Sequence, residues 1–500
     1  MNFEQQLKGN FKFIIFFLLG VVLSYGLPPY NISTFCFLVF PTILYLLKLN
    51  NTDPFKNFFI FGTLFGFGYF VSSLYWISYS LNFDPAVAIL KPFAIILLPF
   101  VLSLFYGVGF YLFRRFFNFG FYFVLNFAIV LSVTEFFRSW LTGFSWNLIV
   151  YSLSDQLHSI QLLNLVGTYG LNFLAILFFS FPYLFFNENK RKSTNRMLVF
   201  VALLVVNYIY GNERLKNQLQ EKDFEIVFVQ PNEGLMEIYN YQDDYIKNLI
   251  KISDPLSKSD YAIFLWPEGS YSFKEKNNFN QLISGQFKAK QKIVLGGNTS
   301  KEDKIFNSFN AFSSDGKLVG RYNKLHLVPF GEFIPLESLL TKLNLKKVTF
   351  GYQSFSRGES RKVLNINGLK VLPLICYEVI DSGALNLNNE IFDVILNISE
   401  DGWFNKSIGT HQHFTHSIFR AIEEGKQIIR STNQGLSASI DPLGKVLSVS
   451  SLNKQTVLQS KIYLLNNKTV FSVLGNLMFL FLILLGLLIQ LILKRYLKLK

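Results

Sequence analysis

The sequence is short of charge. Only 16% of its 500 residues are Asp, Glu, Lys or Arg, whereas a soluble globular protein carries about 25%. Half of the residues are hydrophobic, and 57 of them are phenylalanine. Charges are sparse up to about residue 210, ordinary from there to about residue 461, and nearly absent again over 470–493. This pattern excludes an ordinary soluble protein and predicts a globular zone between two membrane zones.

Cysteine is also scarce. The chain has two cysteines, Cys36 in an apolar stretch and Cys376 in the globular zone. Because these environments differ so much, we expect no disulfide between them. Cys376 should therefore be a free thiol, and a free thiol in the globular zone calls for an explanation.

Basic residues outnumber acidic ones, and the formal net charge is +14. Nucleic-acid binding would need a basic patch on a folded domain. Here much of the excess lies in short loops beside apolar runs, where it indicates membrane topology and attraction to anionic headgroups. We expect no nucleic-acid partner.

Long apolar runs predict an integral, multi-pass membrane protein. A membrane-spanning helix needs roughly 20 apolar residues. We predict seven helices before the globular zone and an eighth after it, and the second and seventh are short: 11–27, 34–47, 57–81, 87–113, 116–137, 160–186, 197–210 and 470–493. No small-residue cleavage site follows the first run, so we interpret it as a retained helix.

The basic clusters of the short loops indicate the orientation. They fall on one side of the membrane if seven helices precede the globular zone and one follows it: Lys8, Lys12, Lys48, Lys56, Arg114, Arg115, Lys190, Arg191, Lys192, Arg196, Lys494, Arg495, Lys498 and Lys500. Basic loops face the cytoplasm. Both termini are then predicted to be cytoplasmic, and the globular zone lies outside.

We divide the chain into a transmembrane domain (1–215), a globular domain (223–464) and a C-terminal transmembrane helix (470–493). In the globular domain, β-rich runs alternate with helix-like stretches, which predicts a layered α/β domain. The predicted strands lie at 225–230, 262–266, 292–297, 370–375, 393–398 and 427–430, and the predicted helices at 241–253, 278–288 and 411–425.

Two predicted strands end in chemically capable residues, Glu268 and Cys376. Ligands in such sheets gather beyond the carboxyl ends of strands. A lone buried cysteine is most often a small hydrophobic residue. Glu268 and Lys324 change that interpretation, because a carboxylate can take the thiol proton and an ammonium can stabilise a thiolate or an oxyanion.

The order of these motifs is specific. Trp-Pro-Glu at 266–268, Lys-Leu-His-Leu-Val-Pro-Phe-Gly-Glu at 324–332 and Ile-Cys-Tyr-Glu at 375–378 resemble the Glu-Lys-Cys signature of the nitrilase (carbon-nitrogen hydrolase) superfamily. The downstream segments 397–404 and 407–413, together with 74–77 and 142–147 in the membrane zone, resemble the apolipoprotein N-acyltransferase family. The resemblance covers essentially the whole chain and implies an αββα sandwich outside a helical membrane domain.

The resemblance also implies site residues. It makes Glu268 the general base, Lys324 the oxyanion stabiliser and Cys376 the nucleophile. Three more residues would support the triad or shape its pocket: Glu332, Tyr377 and Glu378. One departure is that no tryptophan lies between the first predicted strand and Trp266, although the family commonly carries one there.

The implied reaction needs neither a cofactor nor a metal. Cys376 would attack the sn-1 ester of a membrane phospholipid, and the amine of a diacylated apolipoprotein would then accept the acyl group from the thioester. The implied enzyme is a monomer of the bacterial inner membrane whose catalytic domain faces the periplasm. Lipid substrates explain why the domain is attached to a bilayer.

Other interpretations stay open. A membrane-tethered amidase or nitrilase would use the same triad with water as acceptor. A transporter or scaffold would leave the triad unexplained, and the membrane zone offers only the isolated charges Glu135 and Lys91.

Two smaller motifs also have alternative interpretations. The histidines at 411, 413 and 416 could bind a metal, but their spacing and the lack of a neighbouring acidic residue favour a helix that starts after 407–410. The apolar spacing of 336–343 predicts either a core helix or, as we prefer, an interfacial lid near the site.

Overall fold

The computed structural model describes residues 9–82, 88, 90–116, 122–185, 190–273, 278–334, 354–386 and 388–498. The chain forms two compact units. We call Met1–Ser78, Leu90–Lys216 and Val473–Lys500 the helical unit, and Tyr79–Ile89 with Asn217–Ser472 the α/β unit. The predicted domain boundaries stay a prediction, since this division rests on contacts alone.

The helices of the helical unit follow the predicted apolar runs. They are α1 (Phe11–Ser24), α2 (Thr34–Leu49), α3 (Phe55–Leu74), α4 (Lys91–Phe116), α5 (Phe123–Thr142), α6 (Leu163–Ser180), α7 (Lys190–Leu215) and, at the C-terminal end, α13 (Leu477–Lys498). Short 3-10 turns follow α3 at Tyr75–Asn82, precede α6 at Ile149–Leu153 and Ser159–Leu162, and follow it at Phe181–Phe185.

Within the described residues, five helical stretches are long and apolar enough to cross a membrane: Phe55–Asn82, Lys91–Phe116, Phe123–Thr142, Ser159–Phe185 and Ser193–Leu215. Shorter apolar helices occupy Phe11–Ser24, Thr34–Leu49 and Leu477–Ile492. The seventh predicted helix is therefore longer than its apolar run, because α7 continues into polar residues at both ends. The count of eight crossings stays a prediction.

Glycines let the membrane helices touch backbone to backbone. A Cβ at Gly20 of α1 would lie 2.0 Å from the carbonyl oxygen of Phe65 in α3, and one at Gly62 of α3 would lie 2.3 Å from that of Tyr106 in α4. Small residues at such crossings are typical of membrane helix packing, where close van der Waals contact replaces the hydrophobic effect.

Glu135 of α5 is not isolated, contrary to the sequence-based interpretation. Its two carboxylate oxygens accept hydrogen bonds from the Tyr106 hydroxyl and the Asn172 amide. Arg138, one turn further along α5, donates 2.9 Å hydrogen bonds to the carbonyl oxygens of Phe144 and Trp146. A buried polar group in an apolar surrounding is costly unless it finds such partners.

The α/β unit contains two sheets within its described residues. The first has the strand order β13-β1-β2-β4-β5-β6, with β3 paired to β4. Its strands are β1 (Gln220–Gln230), β2 (Ile263–Leu265), β3 (Tyr271–Ser272), β4 (Lys292–Lys301), β5 (Lys304–Ser313), β6 (Leu318–Asn323) and β13 (Thr456–Leu464). Strands β1, β2 and β4 run parallel.

The second sheet has the order β12-β11-β10-β9-β8-β7, and β8, β9 and β10 run parallel. Its strands are β7 (Leu364–Ile366), β8 (Leu369–Ile375), β9 (Val394–Ser399), β10 (Gln427–Thr432), β11 (Ala438–Ile440) and β12 (Val446–Val449). All six predicted strands are confirmed, because each is a buried apolar run between polar turns.

Helices flank both sheets. They are α8 (Leu235–Asn240), α9 (Gln242–Ser253), α10 (Phe279–Ile283) and α11 (Ile408–Glu424). A short helix, α12 (Val470–Leu474), spans the boundary between the two units. Leu249 and Ile246 of α9 join the core of the first sheet, and Arg420 of α11 donates to the carbonyl of Ile380 just after β8. The sheets themselves touch through Ser431 of β10, whose hydroxyl donates to the Val229 carbonyl of β1 at 2.7 Å. The expected α–β–β–α layering is confirmed.

Candidate active site

Three segments that follow strands meet between the two sheets. Glu268 follows β2, Lys324 directly follows β6, and Cys376 directly follows β8. The Lys324 Nζ lies 3.3 Å from the Glu268 Oε1, and the Cys376 thiol forms a hydrogen bond with the Glu268 carboxylate. The fold therefore brings together the three residues that the sequence nominates.

Lys324 holds a buried positive charge between two carboxylates. Its Nζ lies 3.0 Å from the Glu332 Oε1 as well as beside Glu268, and its side chain is 1% exposed. Burial lowers the pKa of Lys324, but the charges of Glu268 and Glu332 outweigh that effect and raise the pKa well above its ordinary value. Lys324 is thus a fixed cation at neutral pH.

Asn307 on β5 completes this charge cluster, and the sequence did not single it out. Its Nδ2 donates to the Oε1 of Glu268 at 2.7 Å and to the Oε1 of Glu332 at 2.8 Å. The available signal was an amide within a strand that is buried along most of its length. A buried amide needs hydrogen-bond partners, but the sequence does not say which groups these are.

Glu332 is further fixed by the backbone. Its Oε2 accepts a hydrogen bond from the Val328 N–H at 2.8 Å, and its own N–H donates to the Val328 carbonyl at 2.8 Å. Glu332 therefore cannot swing away from Lys324 without losing its hydrogen bond to the Val328 N–H.

Cys376 sits at a strained point of the chain. It has a φ of +49° and begins the 3-10 turn Cys376–Ile380. A non-glycine residue in this left-handed region is uncommon and is often found at functional sites. The turn places the thiol at the end of β8, where it faces Glu268.

Burial raises the pKa of both the Cys376 thiol and the Glu268 carboxyl. Burial raises the pKa of Cys376, the charge of Glu268 raises it further, and Lys324 opposes both. Burial also raises the pKa of Glu268, against the opposing effect of Lys324. The thiol is therefore protonated at neutral pH and needs a base, and a carboxylate with a raised pKa is better suited to accept its proton.

Glu378 ties the turn after β8 to the segment that follows β6. Its Oε2 accepts from the Ile375 N–H at 2.9 Å, and its Oε1 accepts from the Leu325 N–H at 2.9 Å. The Arg361 Nη2 lies 2.9 Å from the same Oε1. Burial raises the pKa of Glu378, but Arg361 and the hydrogen bonds outweigh it and lower the pKa. This geometry supports a positioning role for the buried carboxylate.

Tyr377 is 7% exposed and packs edge-on against the His326 ring, with 5.0 Å between the ring centroids. The His326 Nδ1 in turn lies 2.8 Å from the Asp381 carboxylate. Tyr377 thus covers the loop beside Lys324. The predicted lid at 336–343 lies outside the residues that the structure describes.

The predicted helix start near 407–410 is confirmed, since the Ser407 hydroxyl caps α11 by accepting from the Gly409 N–H. The fold also supplies an acidic neighbour that the spacing of the histidines did not indicate. Asp401 Oδ1 lies 2.9 Å from His413 Nδ1, and these side chains and the Cys376 sulfur offer ligand atoms within 4.8 Å of one another. Arg430 Nη2 is 2.7 Å from both Asp401 oxygens, so a metal ion here would meet its positive charge.

Comparison with known proteins identifies the family. Residues 19–181 match the apolipoprotein N-acyltransferase N-terminal domain, and residues 263–465 match the carbon-nitrogen hydrolase domain. The apolipoprotein N-acyltransferase of Rhodopseudomonas palustris is 31% identical over 494 residues, which are 93% of this chain and 92% of that protein. The chain belongs to the apolipoprotein N-acyltransferase family. The resemblance found in the motifs is confirmed.

Other relatives agree with this family. The apolipoprotein N-acyltransferase of Rickettsia typhi is 33% identical over 483 residues, which are 93% of this chain and 94% of that protein. Among solved structures, a CN-hydrolase superfamily protein of Xanthomonas campestris is 19% identical with a TM-score of 0.37, over 48% of this chain and 91% of that chain. The assignment to the apolipoprotein N-acyltransferase family rests on the sequence relatives.

Proposed function

We propose that this chain is a membrane-bound N-acyltransferase that moves an acyl chain from a phospholipid to the N-terminal amine of a diacylated apolipoprotein. The observation that carries the proposal is the buried assembly of Glu268, Lys324 and Cys376 in a chain that matches the family over nearly its whole length. The triad lies within one chain, which is consistent with a monomeric enzyme.

In the first half-reaction, Glu268 takes the thiol proton and the Cys376 sulfur attacks the ester carbonyl carbon of the donor. A carbon–sulfur bond forms, and Lys324 stabilises the negative charge on the carbonyl oxygen. When the carbonyl re-forms, the ester carbon–oxygen bond breaks and the departing alkoxide takes the proton from Glu268. The products are a lysophospholipid and an acyl thioester on Cys376.

In the second half-reaction, the neutral amine of the acceptor attacks the thioester carbon and gives one proton to Glu268. A carbon–nitrogen bond forms, the carbon–sulfur bond breaks, and the departing thiolate recovers the proton from Glu268. The enzyme returns to its starting state. Every proton in both halves moves through one carboxylate, so the site needs no cofactor.

The test is to look for the acyl-enzyme. Purified protein incubated with phospholipid alone should acquire an acyl group that hydroxylamine removes, and added diacylated lipopeptide should discharge it as an amide. Cys376→Ala should show no loading, because its side chain cannot attack. Cys36→Ala is the matched control and should load normally, because Cys36 is buried in the helical unit.

Normal lipopeptide acylation by Cys376→Ala would contradict the nucleophile assignment. Release of free fatty acid and lysophospholipid, with no acylated lipopeptide, would contradict the acyltransferase and favour the membrane-tethered amidase that uses water. The two outcomes are separated by analysing the lipid and the peptide products of the same reaction.

We also propose that the α/β unit faces the outside of the bacterial inner membrane and that both termini face the cytoplasm. The support is the basic loops, since Arg114 and Arg115 end α4 and Lys48 lies in the last turn of α2. A cysteine introduced at the exposed position Lys304 should react with a membrane-impermeant thiol reagent in intact spheroplasts. Labelling only after the membrane is opened would contradict this orientation.

A further inference from the structure

A fully buried polar cluster lies behind Cys376, on residues that the catalytic steps above do not use. Asp401 follows β9, Arg430 lies on β10 and His413 on α11, and all three side chains are 0% exposed. Arg430 Nη2 donates to both Asp401 oxygens at 2.7 Å and lies 2.9 Å from His413 Nδ1. Three different elements thus meet at one carboxylate.

Ser399 connects this cluster to the nucleophile. Its hydroxyl donates to the Asp401 Oδ1 at 2.8 Å and accepts from the Arg430 Nη2 at 3.2 Å, and it lies within hydrogen-bonding reach of the Cys376 sulfur. Arg430 is itself fixed by the Asn397 Oδ1 at 2.5 Å. The sulfur therefore lies beside a hydroxyl that a buried ion pair holds in place.

The charges of this ion pair act on the sulfur in opposite directions. A carboxylate within 4.8 Å of the sulfur disfavours the thiolate, and the nearby guanidinium offsets that effect. Burial lowers the pKa of His413, and Arg430 lowers it further, so the ring is neutral at neutral pH. The cluster as a whole thus carries no net charge, although each ionised member would shift the thiol strongly if it stood alone.

We propose that Asp401 and Arg430 form a charge-neutral support that, through Ser399, positions the Cys376 sulfur without adding a net charge beside it. The inference rests on the proposed role of Cys376 as nucleophile and adds three positioning residues to it. The catalytic steps above use none of the three, so we expect their effect on the reaction to pass through the sulfur.

The charged and titratable groups around the sulfur come from each element that surrounds it. Glu268 and Lys324 face it from the segments after β2 and β6, and Asp401 and His413 from the segment after β9 and from α11. Arg430 of β10 stands behind Asp401. Because Glu268 and Lys324 stay in place in every variant below, changes in thiol ionisation report on the support.

The experiment measures ionisation of the Cys376 thiol without any lipid. In a Cys36→Ala background, Cys376 is the sole cysteine, and its alkylation by iodoacetamide is followed as a function of pH. Asp401→Asn should move the midpoint to lower pH by about one unit or more, because Arg430 is left unbalanced. Arg430→Gln should move it to higher pH, because Asp401 is left unbalanced.

The double variant Asp401→Asn with Arg430→Gln should bring the midpoint back near that of the parent, because both charges are gone. Its acyl loading should still be about tenfold slower or more, because the hydrogen bonds that hold Ser399 are weakened. Ser399→Ala keeps both charges, and it tests the inference even if the single charge variants fail to fold. It should raise the midpoint and slow loading.

Shifts of the two single variants in the same direction, or an unchanged midpoint in Ser399→Ala, would overturn the inference. A merely structural role would change the alkylation rate at every pH without moving the midpoint. Failure of the proposed function is distinguishable, because it would appear as absent acyl loading in the Cys36→Ala parent while its alkylation curve stays measurable.

Discussion

Both units bury a glutamate and a basic residue close together, but they do so differently. In the helical unit, Tyr106 and Asn172 supply the partners of Glu135, while Arg138 binds backbone carbonyls instead of the carboxylate. In the α/β unit, the Oε1 atoms of Glu268 and Glu332 both accept hydrogen bonds from the same two donors. These donors are the Lys324 ammonium and the Asn307 amide.

The difference separates a structural network from the one that we propose to be reactive. Where each charged group has separate hydrogen-bond partners, as Glu135 and Arg138 do, these bonds offset the cost of burial. Where two carboxylates compete for one cation, one of them keeps a raised proton affinity, and a thiol lies beside it. A buried glutamate therefore indicates a catalytic site only when its hydrogen-bond and charge partners are also taken into account.

The largest expected effect is at Glu268. Glu268→Gln should slow acyl loading by about 10²-fold or more, because an amide cannot accept the thiol proton. Loading is measured by mass spectrometry of the purified enzyme after exposure to phospholipid. Glu359→Gln changes an exposed glutamate of the same unit and should load normally. Equal rates in the two variants would place the base elsewhere.

Asn307→Ala should have an intermediate effect. A hydrogen bond to a charged group is worth about 1.5–3 kcal/mol, so loading should fall roughly tenfold to a hundredfold. The amide lowers the pKa of Glu268, which burial raises, so its loss should raise that pKa further. Since the base works only when ionised, the acidic limb of the rate profile should move to higher pH.

Asn310→Ala is the control for that change, because Asn310 lies on the same strand but bonds to the Ser308 carbonyl and the Arg321 side chain. It should leave the acidic limb where it is. An acidic limb that stays in place in Asn307→Ala would show that this amide does not set the proton affinity of the base.

The smallest effect on chemistry is expected in the helical unit. Arg138→Met leaves the carbonyls of Phe144 and Trp146 without their donor, at a cost of about 1–3 kcal/mol each. Thermal unfolding in nanodiscs should therefore occur at a lower temperature, while turnover per folded molecule stays within about twofold. Lys56→Met, at an exposed position, should change neither. A tenfold loss of turnover would show that the buried network of α5 takes part in function.

Much of this architecture could be predicted from the sequence. Apolar runs gave the positions of the helices, and buried runs between polar turns gave six strands, because both signals are local. The motifs indicated that Glu268, Lys324 and Cys376 meet only through their resemblance to the nitrilase signature, because these residues follow strands of two different sheets.

The rest depends on contacts between distant segments. Asn307 and Asp401 stand in no recognisable spacing to the residues they touch, because the partners come from other strands. Strands such as β5 and β6 were missed because their polar and apolar residues follow no regular alternation. Glu135 looked isolated because its partners lie on α4 and α6, which no local pattern connects to it.

The left-handed backbone at Cys376 implies a trade-off between the stability of the fold and catalytic activity. An L-residue held there costs about 1–2 kcal/mol relative to glycine. Strained non-glycine residues cluster at active sites, so this backbone accords with the proposed reactivity of Cys376. Cys376→Gly should be inactive and more stable than the parent protein. Because it lacks the thiol, it is a suitable variant for binding a lipid donor without cleaving it.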